Sequence, residues 1–171
     1  ARERITQLGI NKEGFSAHTA RYRTYCSSET HSSIDKAVKI AGIGANNLVK
    51  IDVDVDMAMK PDQLLKAIQN DLAQGYTPLC VVAPLGTTGT TAIDPLFEIA
   101  EICSDQNVWL HVDAAYAGTA LILPEYQWMI KGIELADSFV FNPHKWMFTN
   151  FDCSAYYVKD KTALTNTFEI L

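Results

Sequence analysis

The chain has 171 residues, 48% apolar and 20% charged, with a formal net charge of −6. This is enough for one globular domain with a real core. The acidic balance and the lack of a basic run argue against nucleic-acid binding, and no apolar run suits a membrane helix or a signal peptide.

Residues 1–7 read as the tail of a helix, closed at Leu8-Gly9 with glycine as the stop. A strand follows over 22–27, then a helix over 32–40 with Ile34, Ala37, Val38 and Ala41 at helical spacing. Residues 42–47 turn into a short strand over 48–53. Pro61 opens a helix striped by Leu64, Leu65, Ile68 and Leu72 and stopped by Gly75. An uncharged strand over 79–83 precedes a helix that Asp94 would cap, with Pro95 in its first turn, running through Ile102 and Cys103.

The pattern then gives a strand over 108–112, a helix over 124–135 and a strand over 137–141. Alternation of this kind, with near-continuous apolar strands, predicts a mostly parallel sheet covered on both faces. The last strand, 153–158, is reached through only residues 142–152, which carry no helical stripe. A parallel crossover needs a dozen or more residues, so this strand is expected to be antiparallel. The expected architecture is α/β, a three-layer α/β/α mixed sheet. The chain lacks an initiator methionine and ends on the apolar, uncapped run 167–171, so it reads as an internal piece of a longer protein.

Cys26, Cys80, Cys103 and Cys153 are widely separated and form no Cys-x-x-Cys pair. Buried thiols in a reducing cytoplasm fit better than disulfides or a zinc site.

Ligands of an open parallel sheet bind at the carboxyl ends of its strands. Four such ends here carry polar chemistry: Thr30-His31-Ser32-Ser33, Gly86-Thr87-Thr88-Gly89-Thr90, Asp113-Ala114-Ala115-Tyr116, and Asn142-Pro143-His144-Lys145-Trp146. Parallel strands would bring an imidazole, hydroxyls, a carboxylate and an amine to one cleft. Lys145, hemmed in by His144, Pro143 and Trp146, is expected to be poorly hydrated, which favours a nucleophilic amine. A lysine and a carboxylate on neighbouring strand ends suit pyridoxal phosphate: the amine holds the aldehyde and the carboxylate pairs with the protonated ring nitrogen. Small Ala114 and Ala115 leave room for a flat ring, and His31 can stack on its other face.

Other chemistries fit less well. A metal site from His111, Asp113, His31 and His144 is disfavoured because only Asp113 clears its strand end, which makes His111 a buried structural residue. Gly42-Ile43-Gly44 lacks the third glycine of a dinucleotide turn and precedes a strand, and no Gly-x-Ser-x-Gly is present. Asp52, Asp54 and Asp56 fit a solvated strand end rather than a calcium loop, and His18 fits a solvated position.

Three motifs, Thr30-His31-Ser32-Ser33, His111-Val112-Asp113-Ala114-Ala115-Tyr116-Ala117-Gly118 and Asn142-Pro143-His144-Lys145-Trp146, are followed by Phe151-Asp152-Cys153-Ser154-Ala155. Together they resemble the pyridoxal-phosphate-dependent group II amino-acid decarboxylases, nearest the aromatic-L-amino-acid branch. The resemblance implies the large domain of the aspartate-aminotransferase type (fold type I), lacking here an N-terminal phosphate loop, a mobile catalytic loop and a C-terminal small domain.

It further implies that Lys145 bonds to the aldehyde of pyridoxal 5'-phosphate and that Asp113 pairs with its ring nitrogen. His31 would stack on the ring and orient the substrate carboxylate. Ala115 would lie on the opposite face, Thr88 would line the cleft, and Asn142 and His144 would lie near the phosphate. The implied reaction releases carbon dioxide from an aromatic L-amino acid in a homodimer whose site lies at the subunit interface. Histidine or acidic amino-acid decarboxylation, oxidative aldehyde synthesis and a cofactor-free binding remnant stay open. The fragment alone is expected to be inactive.

Overall fold

The structure, a computed structural model, describes residues 1–168. Its six strands are β1 (Arg21–Ser27), β2 (Leu48–Ile51), β3 (Tyr76–Pro84), β4 (Trp109–Asp113), β5 (Ser138–Phe141) and β6 (Ala155–Val158). They form one sheet in the order β2-β1-β3-β4-β5-β6. Every pairing is parallel except β5 with β6, where Ser138 faces Val158 and Phe141 faces Ala155. The mixed, mostly parallel sheet expected from the apolar runs is therefore present.

Side-chain alternation divides the sheet's two faces. Tyr25, Val81, Leu110 and Val112 enter one core with Leu64 and Ile68 of α4 (Pro61–Ala73) and Ile99 and Cys103 of α5 (Leu96–Asp105). Each large aliphatic side chain fully buried there contributes about 1.5–3 kcal/mol. Tyr25 also reaches through this layer and donates its hydroxyl to Asp71 Oδ2 at 2.9 Å, fixing α4 on β1. The opposite face carries α1 (Arg2–Thr6), α2 (Gly9–Glu13) and α3 (Ser33–Ile40), with Ile10, Tyr22 and Leu79 as a smaller buried cluster.

Several local expectations need correction. The first helix is ended not by glycine but by Gln7 and Leu8, both left-handed at φ 51° and 65°, and Gly9 starts α2. His18 is half-buried: its ring packs on Gly9, and its Nε2 is buried without a hydrogen-bond partner among the described residues. The helix expected over 124–135 is instead two 3₁₀ segments, 124–130 and 133–135, interrupted at Gly132 (φ +92°). A Cβ at Gly132 would come within 2.8 Å of Phe97 Cα, so close approach to α5 dictates the break. Residues 142–152, read as helix-free, contain one helical turn, α6 (Pro143–Trp146).

Asp94 does not cap α5. Its Oδ1 instead accepts the Met59 backbone N–H at 2.8 Å, and the N-cap position falls to Pro95. Burial pushes the Asp94 carboxyl up to about 7; the Met59 hydrogen bond opposes this and the nearby Asp54 charge adds to it. The aspartate run makes a turn, with Asp54 Oδ1 accepting the N–H groups of Asp56 and Ala58.

All four cysteines are unpaired; Cys26 and Cys103 are buried and Cys80 and Cys153 half-buried. No helix among the described residues is long and apolar enough to cross a membrane. Part of the uncapped end expected at 167–171 lies outside the described residues.

Candidate active site

The parallel strands end on one edge and open into a cleft of about 200 Å³. After β1, His31 and Ser33 contribute to it; after β3, Gly86, Thr87 and Thr88; at and after β4, Asp113, Ala115 and Tyr116; after β5, Asn142 and Lys145. Six of the seven residues singled out from the sequence (His31, Thr88, Asp113, Ala115, Asn142 and Lys145) thus line a single cavity. His144 does not line it.

Each side chain is placed by its backbone. Asp113 is the last residue of β4, and its Oδ1 accepts the Ala115 N–H at 3.1 Å, which fixes the carboxylate at the strand end. His31 Nδ1 accepts the N–H of Ser33, the first residue of α3, at 3.2 Å. The neutral ring therefore carries its proton on Nε2. Lys145 projects from α6, which Pro143 opens; its Nζ stands 6.0 Å from the centre of the Tyr116 ring, and that ring meets Trp146 edge-on at 5.1 Å.

The poor hydration expected for Lys145 is not found. Lys145 is exposed, because α6 turns Trp146 and Met147 (each 39% exposed) outward instead of folding them over the amine.

His144 faces the segment that leads into β6. Its Nδ1 accepts the Cys153 N–H at 3.0 Å and lies 3.3 Å from Asp152 Oδ1, and its ring meets Phe151 edge-on. His111 sits on the second face of the sheet, Nδ1 2.8 Å from Ser138 Oγ, and Trp109 Nε1–H donates to that same oxygen. Burial lowers the pKa of His111, against a smaller opposing effect of Asp113. Among the described residues no group of His, Cys, Asp and Glu is arranged to hold a metal ion.

Ser33, Gly86, Thr87 and Tyr116 also line the cleft; the sequence placed their segments at the strand ends there without giving these four an individual role. Gly86 has a steric reason to be glycine. Its φ is +80°, and a Cβ there would lie 2.5 Å from Ala117 Cβ. Gly86→Ala should destabilise the protein by about 1–3 kcal/mol, through left-handed strain and overpacking. Urea unfolding reads this directly, and an unchanged midpoint would contradict it.

An amine, a carboxylate, an imidazole, hydroxyls and an amide at one edge, with the small Gly86 and Ala115 in the same lining, fit a flat, phosphorylated heteroaromatic aldehyde. Lys145 would hold the aldehyde, Asp113 the ring nitrogen, and Thr88 and Asn142 the polar periphery.

Comparison with known proteins agrees with that fit. A family model, the pyridoxal-dependent decarboxylase conserved domain, matches residues 4–171. The chain is 48% identical over 158 residues to histidine decarboxylase of Rattus norvegicus, covering 91% of this chain and 23% of that protein. It is 47% identical over 146 residues to aromatic-L-amino-acid decarboxylase of Sus scrofa, covering 85% and 29%. The crystal structure of Catharanthus roseus tryptophan decarboxylase in complex with L-tryptophan superposes with a TM-score of 0.89 at 40% identity, covering 98% of this chain and 35% of that one. The chain thus spans 23% to 35% of the length of these relatives, and its sheet is that of the fold-type-I pyridoxal-phosphate enzymes.

Proposed function

We infer from one premise, that this chain belongs to the pyridoxal-dependent decarboxylase family, that residues 1–171 are part of the large cofactor-binding domain of an amino-acid decarboxylase. The observation that carries this reading is the meeting of His31, Thr88, Asp113, Asn142 and Lys145, from four separate strand ends, in one cleft.

Pyridoxal 5'-phosphate, when bound, supplies an electron-withdrawing ring that accepts the electron pair left as carbon dioxide departs. The Lys145 amine would hold the group through its aldehyde and would give way to the amine of an incoming substrate. Asp113 would pair with the ring nitrogen and hold a proton there. His31 would stack on the ring and offer its Nε2–H to the substrate carboxylate, and Ala115, small enough to allow close approach, would lie on the opposite face. Thr88, Asn142 and His144 serve the polar periphery, His144 from behind the Lys145 turn.

The substrate class we favour is an aromatic L-amino acid, supported by the likeness to aromatic-L-amino-acid and tryptophan decarboxylases and by Tyr116 and Trp146 beside the amine. Histidine is the second reading, since the histidine decarboxylase likeness is as strong and covers more of the chain. Amine release from each candidate amino acid separates the two; aldehyde plus ammonia would point instead to an oxidative synthase. The working form we propose is a cytoplasmic homodimer, the unpaired thiols supporting a reducing compartment.

Borohydride reduction of the full-length protein followed by peptide mapping should place a pyridoxyl group on Lys145. An unmodified Lys145 peptide would remove the basis of this reading and favour a cofactor-free binding module.

A further inference from the structure

Asp94 is the buried acid that the chemistry above leaves unused. Its residue is 1% exposed; Oδ1 accepts the Met59 N–H, and Oδ2 is buried without a partner among the described residues. A buried polar atom without a partner costs stability, so its presence calls for an explanation.

What it joins is specific. The Asp94 N–H donates to the Pro84 carbonyl at 3.1 Å and so closes the base of a hairpin over 84–94. Inside it Leu85 bridges Ile93, and the N–H groups of Gly86 and Thr87 both reach the Ala92 carbonyl at 3.0 Å. Thr87 Oγ1 accepts the Ala92 N–H and pairs with Thr90. This hairpin delivers Gly86, Thr87 and Thr88 to the cleft, and beyond Thr87 its tip is solvent-exposed. The tip therefore has no packing of its own to hold it in place. Its base is tied to β4 by the Leu85 N–H, which donates to the Asp113 carbonyl at 2.9 Å, and on the other side by the Asp94 side chain, which crosses to Met59, where the chain between β2 and α4 turns back through the Val53–Met59 bridge.

We propose that Asp94 is a positioning residue for the cofactor cleft: its single acceptor bond to Met59 locks the 84–94 hairpin and so holds Thr88 and Gly86 in register with Asp113 and Lys145. The inference rests on the cleft being the cofactor site, and it adds a residue that touches neither cofactor nor substrate. The required feature is an acceptor oxygen, not a charge: no cation pairs with Asp94 among the described residues, and the charge that acts on it, Asp54, is of like sign. Asparagine should therefore replace it and alanine should not.

The test uses the full-length protein with two readouts: pyridoxal phosphate affinity from cofactor absorbance, and amide hydrogen exchange at Gly86 and Thr87 in the cofactor-free form. Asp94→Ala should weaken cofactor binding at least tenfold and speed exchange at those two amides at least tenfold. Asp94→Asn should keep both within about threefold of the parent, an estimate that assumes the retained acceptor carries the bond. If Asp94→Ala does not fold, Asp94→Ser, too short to reach Met59, is read the same way.

Unaltered exchange in the alanine or serine variant overturns the proposal, as does an asparagine variant that behaves like alanine. A general loss of melting temperature with cofactor affinity intact assigns Asp94 a purely structural role and also overturns it. If the unsubstituted protein fails to bind cofactor, the reading of the cleft falls; the exchange data then decide the hairpin claim on their own.

Discussion

Lys145→Ala in the full-length protein should abolish the absorbance of bound cofactor near the visible edge and lower turnover by about 10³-fold or more. The estimate combines loss of a covalent step with loss of proton transfer, the latter alone contributing about 10²–10⁴. Folding should barely change. Lys145 is exposed, and its side chain makes neither a hydrogen bond nor an ion pair among the described residues; its one neighbour of note is the Tyr116 ring at 6.0 Å. Substitutions of that kind usually fall within about 0.5 kcal/mol. A variant with wild-type melting temperature, no cofactor band and no turnover assigns the amine to chemistry. An unchanged spectrum would sink the assignment.

The second large effect belongs to Asp113. Asp113→Asn keeps an oxygen that can accept the Ala115 N–H, now at 3.1 Å, so the strand end should hold its shape and retain some cofactor. What it loses is charge. A carboxylate about 4 Å from a protonated ring nitrogen at an intermediate effective dielectric contributes about 4 kcal/mol, or roughly three pK units. Without it the nitrogen sheds its proton and the ring draws electrons less well, so turnover should fall by about 10²–10³. Steady-state kinetics at saturating cofactor measure this. Equal turnover in the two proteins would mean that the ring needs no carboxylate partner.

The elements that bury an apolar stripe were legible in the sequence. The strands around Val81, Leu110 and Val112 and the helix striped by Leu64 and Ile68 fall where the periodicity puts them, because burial enforces the period. The short path from β5 to β6 likewise announced an antiparallel return. The gathering of His31, Asp113 and Lys145 followed from parallel direction alone.

What escaped depends on long-range partners. Asp94 carries the local signature of a helix cap, yet its acceptor goes to Met59, 35 residues away, and no sequence window contains both. Lys145 was expected to be desolvated because its neighbours are apolar. Apolar character states that Trp146, Met147 and Phe148 gain by being covered, not which surface covers them, and Phe148 is in fact fully exposed. His144 could be placed beside the lysine but not aimed: its direction is set by a single helical turn and by the Cys153 N–H.

The strand order also has a kinetic consequence. β1 pairs with β3 only after the chain has traversed α3, β2 and α4, and each later parallel pairing likewise spans a helix or three 3₁₀ segments. Such non-local pairings bear loop-closure entropy before any contact compensates for it, which makes the sheet slow to assemble. During synthesis the aromatic rung of β4 and the acid at its tip emerge well before the amine that must oppose them. A ribosome-bound chain halted short of residue 145 would carry the carboxylate without its opposing amine, so the proposed hold on the vitamin B6 coenzyme is completed only after β5 has been synthesised.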